Sequence, residues 1–229
     1  MSKQFPHVLV IVPARSGSKG IKDKNILSFR GKPLLAHAID YAKMSSSVSN
    51  ILVSTDSEEY RRVAEFHGAS VLGLRPKHLS GDLVEDFPVC DYEVNEYEKV
   101  SGNTVDFVVW LRPTSPVRPP NLIEDSMELL RMHPTADSVR AVVETSEHHW
   151  RQWGLEGPFI RPIESAVREP FNLPRQSLPK TYFQSGHIEV LRRDTLKLGS
   201  ISGRKLLPIL ISRSFDLDID SVEDLENFN

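Results

Sequence analysis

The sequence predicts an α/β protein built on a doubly wound (Rossmann-like), mostly parallel sheet, and three observations predict it. Residues 8–12, VLVIV, are apolar without interruption, and four of the five are β-branched, which is the signature of a buried strand. Further short apolar runs at 51–53, 70–72, 106–111, 138–143 and 206–211 alternate with stretches of helical period at 33–44, 58–67, 87–99 and 121–132. Two of the apolar runs break off abruptly into loops dense in glycine, proline and cations, where sheets of this kind form their crevices.

The bulk properties set limits on partners and compartment. A chain of 229 residues is long enough for one sizeable core with a small appendage. A net charge of −3 does not favour adhesion to nucleic acid or to an anionic membrane, so neither is expected as a partner. The single cysteine, Cys90, has no internal partner and no metal-ligand spacing around it, which suggests a reducing compartment. The apolar run at 8–12 is too short for a signal peptide or a membrane span, so a cytoplasmic protein is the expectation.

After the first strand, Pro13 ends the run, and Arg15, Lys19, Lys22 and Lys24 share a loop with Ser16, Gly17, Ser18 and Gly20. Glycines let a backbone approach phosphate closely, and the cations supply opposing charge, so the loop suggests a polyphosphate seat. An ordinary solvated basic loop has the same composition. The loop matches neither G-x-x-x-x-G-K-[ST] nor G-x-G-x-x-G.

Leu34, Leu35, Ala38, Ile39 and Ala42 recur at helical spacing behind Pro33, with a turn predicted at Gly31-Lys32-Pro33. Asp56 follows the strand at 51–53 and reads either as the cap of the next helix or as a support for the basic loop. The acids Asp82, Glu85, Asp86 and Asp91 crowd the start of the helix at 87–99, where the helix dipole favours them. Beyond the strand at 106–111, the proline-dense segment 112–120 must run as a rigid loop suited to shaping a pocket edge.

From Glu144 the character changes: His148, His149, Trp150, Trp153, Phe159 and Ile160 alternate with turns, a composition that suits an interface. The adjacent histidines, on an extended segment, are expected to point apart. Near the carboxyl end, Asp216, Asp218 and Asp220 alternate with Leu217 and Ile219, which puts three carboxylates on one face of an extended segment. Such acids repel one another unless a cation neutralises them, and a hard divalent ion shared with phosphate oxygens meets that need. A solvated acidic strand is the plain alternative. An N-capped helix is predicted over 221–228.

The segment PARSGSKGIKDKN resembles the amino-terminal signature of the sugar-acid cytidylyltransferases, especially the CMP-N-acylneuraminate synthetases, and LRPTSPVR resembles their second signature. PRQ followed by TYFQSGHIEV, and the final DID, match the later family segments, so the resemblance covers almost the whole chain. It implies a nucleotidyltransferase-type core formed by residues 1–143 and 188–229, with 144–187 inserted as a dimerisation arm. It implies that CTP is held by Ala14, Arg15, Ser18, Lys19, Lys24 and Asn25, with Arg75, Ser80 and Asp82 at the base or ribose. A keto-sugar acid would meet Arg112, Thr114, Ser115, Ser185 and Gly186, together with Arg175 for its carboxylate and Gln176 for an N-acyl or hydroxyl group. Asp218 and Asp220 would bind Mg²⁺ or Mn²⁺, and Arg15, Lys24 and Asp218 would carry the catalysis in a homodimer. Two positions depart from the family pattern near the sugar: Arg112 stands where some members carry an amide, and Ser185 where asparagine is usual. Legionaminate, pseudaminate, deaminated sialate or an octulosonate is the alternative sugar, and a nucleotide-binding regulator without turnover is the alternative of another class.

Overall fold

The computed structural model describes residues 5–163 and 167–228. In chain order it contains β1 (Val8–Pro13), the short pair β2 (Ser28–Phe29) and β3 (Lys32–Pro33), α1 (Leu34–Met44), β4 (Asn50–Ser54), α2 (Glu58–Phe66) and α3 (Asp86–Ser101). There follow β5 (Phe107–Trp110), α4 (Leu122–Met132), β6 (Ser138–Thr145), the hairpin β7 (Trp153–Glu156) and β8 (Phe159–Pro162), β9 (Thr181–Arg192), β10 (Leu206–Leu210) and α5 (Val222–Phe228).

The central sheet has the order β10-β6-β9-β5-β1-β4. β1 is parallel to both neighbours, pairing Val10 with Ile51 on one side and with Val109 on the other, and β6 and β10 are parallel too. β9 alone is reversed, antiparallel to β5 and β6, because it brings the chain back from the excursion that begins after β6. The fold is therefore the α/β, mostly parallel architecture the alternation predicts. The continuous apolar run of β1 follows from burial on both faces. Val8, Val10 and Val12 pack into the layer that holds Leu35 and Ile39 of α1, Tyr60 of α2 and Leu130 of α4. Leu9 and Ile11 face the opposite layer, built on Val89, Cys90 and Val94 of α3. Each such side chain, fully withdrawn from water, contributes about 1.5–3 kcal/mol, so the strand is a strong organiser of the core.

The chain steps from β1 to β4 on one side and later to β5 on the other. That reversal opens a crevice at the carboxyl ends of β1 and β5. The loop after β1 and the proline loop after β5 both start at this edge.

Several local expectations are corrected. Residues 70–72 form no strand; Ser70 makes a single parallel bridge to Leu52 before the chain turns away, with the Arg75 amide donating to the Thr55 carbonyl. The predicted turn lies one residue earlier, at Arg30-Gly31, both at positive φ, which lets Phe29 pair with Lys32. Asp56 is not the cap of α2: the Ser57 hydroxyl accepts from the Tyr60 amide, and Asp56 instead accepts from the Ser16 amide at 2.8 Å, bracing the basic loop. His148 and His149 do not point apart. The backbone tightens into a short 3-10 turn there, with His148 Nδ1 accepting from the Trp150 amide, and the two rings stack at 4.5 Å. The carboxyl-terminal helix is capped as predicted, the Asp224 amide donating to Ser221 Oγ. Among the described residues, no helix is long and apolar enough to cross a membrane.

Candidate active site

A cavity of about 220 Å³ opens at the carboxyl ends of β1 and β5, lined on one side by Arg15, Ser18, Lys24 and Asn25 and on the other by Arg112 and Thr114. Arg75, Trp110 and residues at the start of α3 complete its wall.

The basic loop is held in shape from behind. Asn25 is buried and its side-chain amide donates to the Arg15 carbonyl at 3.0 Å, while Asp56 holds the Ser16 amide. Ala14 is fully buried and its amide is spent on the Ser54 carbonyl, so it has no side-chain group to offer a ligand. Asn25 thus braces the loop and also lines the cavity, while Ala14 packs behind it. Arg15 and Lys19 both meet the carboxylate of Asp82, at 2.7 and 2.9 Å, and these cations hold its pKa below the usual carboxylate range. Asp82 therefore stands where an anionic ligand of Arg15 and Lys19 would bind. Ser80 turns its hydroxyl back to the Pro76 carbonyl.

The carboxyl-terminal acids reach the same place. Lys24 Nζ lies 2.7 Å from Asp220 Oδ1, and the Lys24 side chain is mostly buried while that of Asp220 is exposed. Gly20 lies against this segment; a Cβ there would come within 2.8 Å of the Asp220 carbonyl oxygen, so the approach requires glycine. The Ile219 amide donates to the Thr114 carbonyl at 2.8 Å, fastening the acidic segment to the proline loop as well. Segment 216–220 has no strand partner, yet the alternation holds: Leu217 and Ile219 are buried, and Asp216, Asp218 and Asp220 are exposed.

The proline loop is closed by Arg118, whose guanidinium is buried. Its Nε donates to the His187 carbonyl at 2.8 Å and its Nη2 to the Arg112 carbonyl. Burial pulls its pKa down to about 10, so it stays cationic at neutral pH. Arg112 itself is ion-paired with Asp86, the first residue of α3. Gly186 packs directly on Ser115, which is fully buried; a Cβ would come within 2.5 Å of Ser115 Oγ. Ser185 is buried and its hydroxyl bonds to His187 Nδ1. Ser115, Ser185 and Gly186 thus form the packed floor behind Arg112 rather than an open binding surface.

Arg175 and Gln176 are not brought to this cavity. They are exposed on a short 3-10 turn, and Arg175 lines a separate hollow of about 140 Å³ with Glu144, His148 and Lys180. Beside it the β7–β8 hairpin forms a sheet of its own and exposes Leu155, Phe159 and Ile160.

Sequence reasoning missed Arg118, Asp86 as the partner of Arg112, and a buried carboxylate, Glu93, behind Arg75. Glu93 shares its helix with Asp91, Glu96 and Glu98, so no local pattern sets it apart, and its partners lie on other elements. No group of three or more potential metal-ligating side chains occurs among the described residues.

Comparison with known proteins bears on this geometry. The chain is 30% identical over 226 residues to an N-acylneuraminate cytidylyltransferase of Escherichia coli O18:K1:H7, covering 96% of this chain and 50% of that protein. It is likewise 30% identical over 222 residues to a bifunctional pseudaminic acid cytidylyltransferase and UDP-sugar hydrolase of Helicobacter pylori, covering 96% of this chain and 40% of that one. The chain thus spans half or less of the length of these two relatives. In fold it matches the structure of a CMP:2-keto-3-deoxy-manno-octonic acid synthetase complexed with CTP, with a TM-score of 0.69 at 17% identity, over 96% of each chain. The family model described as Cytidylyltransferase matches residues 9–148, from the first strand through the proline loop to just beyond β6, and the chain belongs to that family.

Proposed function

We propose that this chain transfers the cytidylyl group of CTP to a nine-carbon keto-sugar acid, N-acylneuraminate or a close relative, giving the CMP-sugar and pyrophosphate. The observation that carries this reading is the meeting of Lys24 with Asp220, across 196 positions of sequence, at the rim of the cavity that Arg15 and Ser18 line. The resemblance of the relatives supports the substrate class.

In this reading Arg15, Ser18, Lys19 and Lys24 hold the triphosphate, and Arg112 and Thr114 face the sugar acid. The anomeric hydroxyl oxygen attacks the α-phosphorus in line. The new P–O bond forms as the bond to the bridging oxygen of the β-phosphate breaks, pyrophosphate leaves with that electron pair, and the hydroxyl proton passes to solvent. The protein's contribution is positioning and neutralisation of developing charge, which suits fixed cations better than a strong base. Asp218 and Asp220 fit a hard divalent cation as two exposed oxygen donors; since no cluster of three or more ligating side chains forms among the described residues, they would share it with triphosphate oxygens and water. When bound, Mg²⁺ or Mn²⁺ supplies further neutralisation of the phosphates. The arm at 144–187 would pair two copies through its exposed apolar hairpin and carry Arg175 and Gln176 to the partner's sugar. That assigns these residues a role their distance from their own cavity otherwise denies them.

Pyrophosphate release from CTP, with and without Mg²⁺, tests the reading on a panel of N-acylneuraminate, legionaminate, pseudaminate and octulosonate. Mg²⁺-dependent release with one of them is expected. CTP binding without release on any member would instead make the chain a nucleotide-binding regulator.

The position of Asp82 gives a second expectation. Its carboxylate competes with the triphosphate for Arg15 and Lys19, so Asp82→Asn should tighten CTP about three- to tenfold at low salt, an advantage that shrinks as salt rises. Weaker CTP binding in this variant, measured by calorimetry, would assign Asp82 to the nucleotide instead.

A further inference from the structure

A polar relay runs through the core behind the cavity wall, and neither the phosphate seat nor the acidic segment uses it. Ser54, the last residue of β4, is fully buried. Its hydroxyl accepts from Arg75 Nε at 3.0 Å and donates to Glu93 Oε1, and Arg75 Nη2 donates to the Ser54 carbonyl at 2.7 Å. Glu93 sits on the inward face of α3, 3% exposed, and Arg75 is 7% exposed where it reaches the cavity. Burial pushes the Glu93 carboxyl up in pKa, while Ser54 and Arg75 pull it back. A buried carboxylate without partners is costly, so the three groups hold one another in a single arrangement.

The direction of the relay is fixed by chemistry. A guanidinium has five N–H donors and no acceptor, and a serine hydroxyl donates once and accepts at its lone pairs. The order is therefore Arg75 N–H to Ser54 O–H to Glu93 carboxylate. Among the described residues, the Arg75 side chain donates two hydrogen bonds, both to Ser54, which fix its plane and leave further donors for the cavity it lines. The Arg75 amide, bonded to the Thr55 carbonyl at 2.7 Å, anchors its backbone to the same strand end.

A fixed edge of donors distinguishes pyrimidines. Cytosine offers two adjacent acceptors, O2 and N3, whereas uracil offers O2 beside an N3–H donor that would face the guanidinium donors. We propose that Ser54 and Glu93 are positioning residues that hold Arg75 in the plane that accepts cytosine and rejects uracil. This rests on the reading that the cavity takes CTP, with the base rather than the ribose at Arg75. The relay places determinants of base choice inside the protein, two hydrogen bonds from the ligand at Ser54 and three at Glu93.

Calorimetric titration of CTP and UTP, each with Mg²⁺, into the wild type, Ser54→Ala and Glu93→Gln tests it. The wild type should prefer CTP, and both variants should lose about tenfold or more of that preference, chiefly through weaker CTP binding. A merely structural role would weaken both nucleotides alike and leave their ratio unchanged, which would overturn the proposal. If Ser54→Ala does not give a cooperative melt, Glu93→Gln, which keeps side-chain volume, decides alone. Wild-type protein that binds CTP and UTP equally overturns the inference while the nucleotide site stands; wild-type protein that binds neither overturns both.

Discussion

Lys24→Ala is expected to lower kcat/KM for pyrophosphate release by about a thousandfold, the scale on which a single preorganised contact to developing charge is lost. The ammonium is held 2.7 Å from Asp220 by a side chain only 12% exposed, so it is a fixed charge rather than a mobile one. Water that replaces it must reorganise as charge builds on the phosphates. The loss should therefore appear in kcat as well as in KM, as it does when an interaction strengthens in the transition state. Lys24→Arg keeps the charge and should recover part of the rate. A melting temperature that stays within a few degrees of the wild type would show that the fold is intact. Near-normal kcat/KM in Lys24→Ala would remove Lys24 from the machinery.

Asp218→Asn should cost a similar factor, about a hundred- to a thousandfold, because it keeps shape and removes only the anionic oxygen that a hard cation needs. The backbone here is fastened independently by buried Leu217 and Ile219 and by the Ile219 amide on Thr114, so the segment should keep its place. The diagnostic is the metal response: raising Mn²⁺ should restore part of the activity of Asp218→Asn and none of that of Lys24→Ala. Equal activity of Asp218→Asn and the wild type at every metal concentration would show that Asp218 binds no essential ion.

What was legible in the sequence was what depends on local pattern. The run at 8–12 announced β1 because burial on both faces demands uninterrupted apolar side chains, and the alternation at 216–220 announced its own burial pattern even without a strand partner. Cations near the amino end and acids near the carboxyl end are each visible as clusters, but only the fold brings Lys24 to Asp220. What was not legible depends on partners chosen by tertiary folding. Asp56 sits where a cap belongs, yet Ser57 took that role and freed Asp56 to hold the Ser16 amide. The histidines at 148 and 149 stack because the backbone tightens into a 3-10 turn, which their spacing could not announce. The burial of Ala14, Ser115 and Ser185 was not legible either, since small residues beside a signature serve the wall of a site as readily as its surface. The Arg75–Ser54–Glu93 relay joins three elements and has no signature in any one of them.

The proposed convergence of Lys24 and segment 218–220 on one metal–triphosphate unit is tested most directly by electron paramagnetic resonance of Mn²⁺ added to the protein with and without CTP. With no cluster of three or more ligating side chains among the described residues, the carboxylates should bind the ion weakly alone and at least tenfold more tightly once CTP is present, and Asp218→Asn should abolish the gain. Tight Mn²⁺ binding without nucleotide, or a CTP-dependent gain that survives Asp218→Asn, would contradict it.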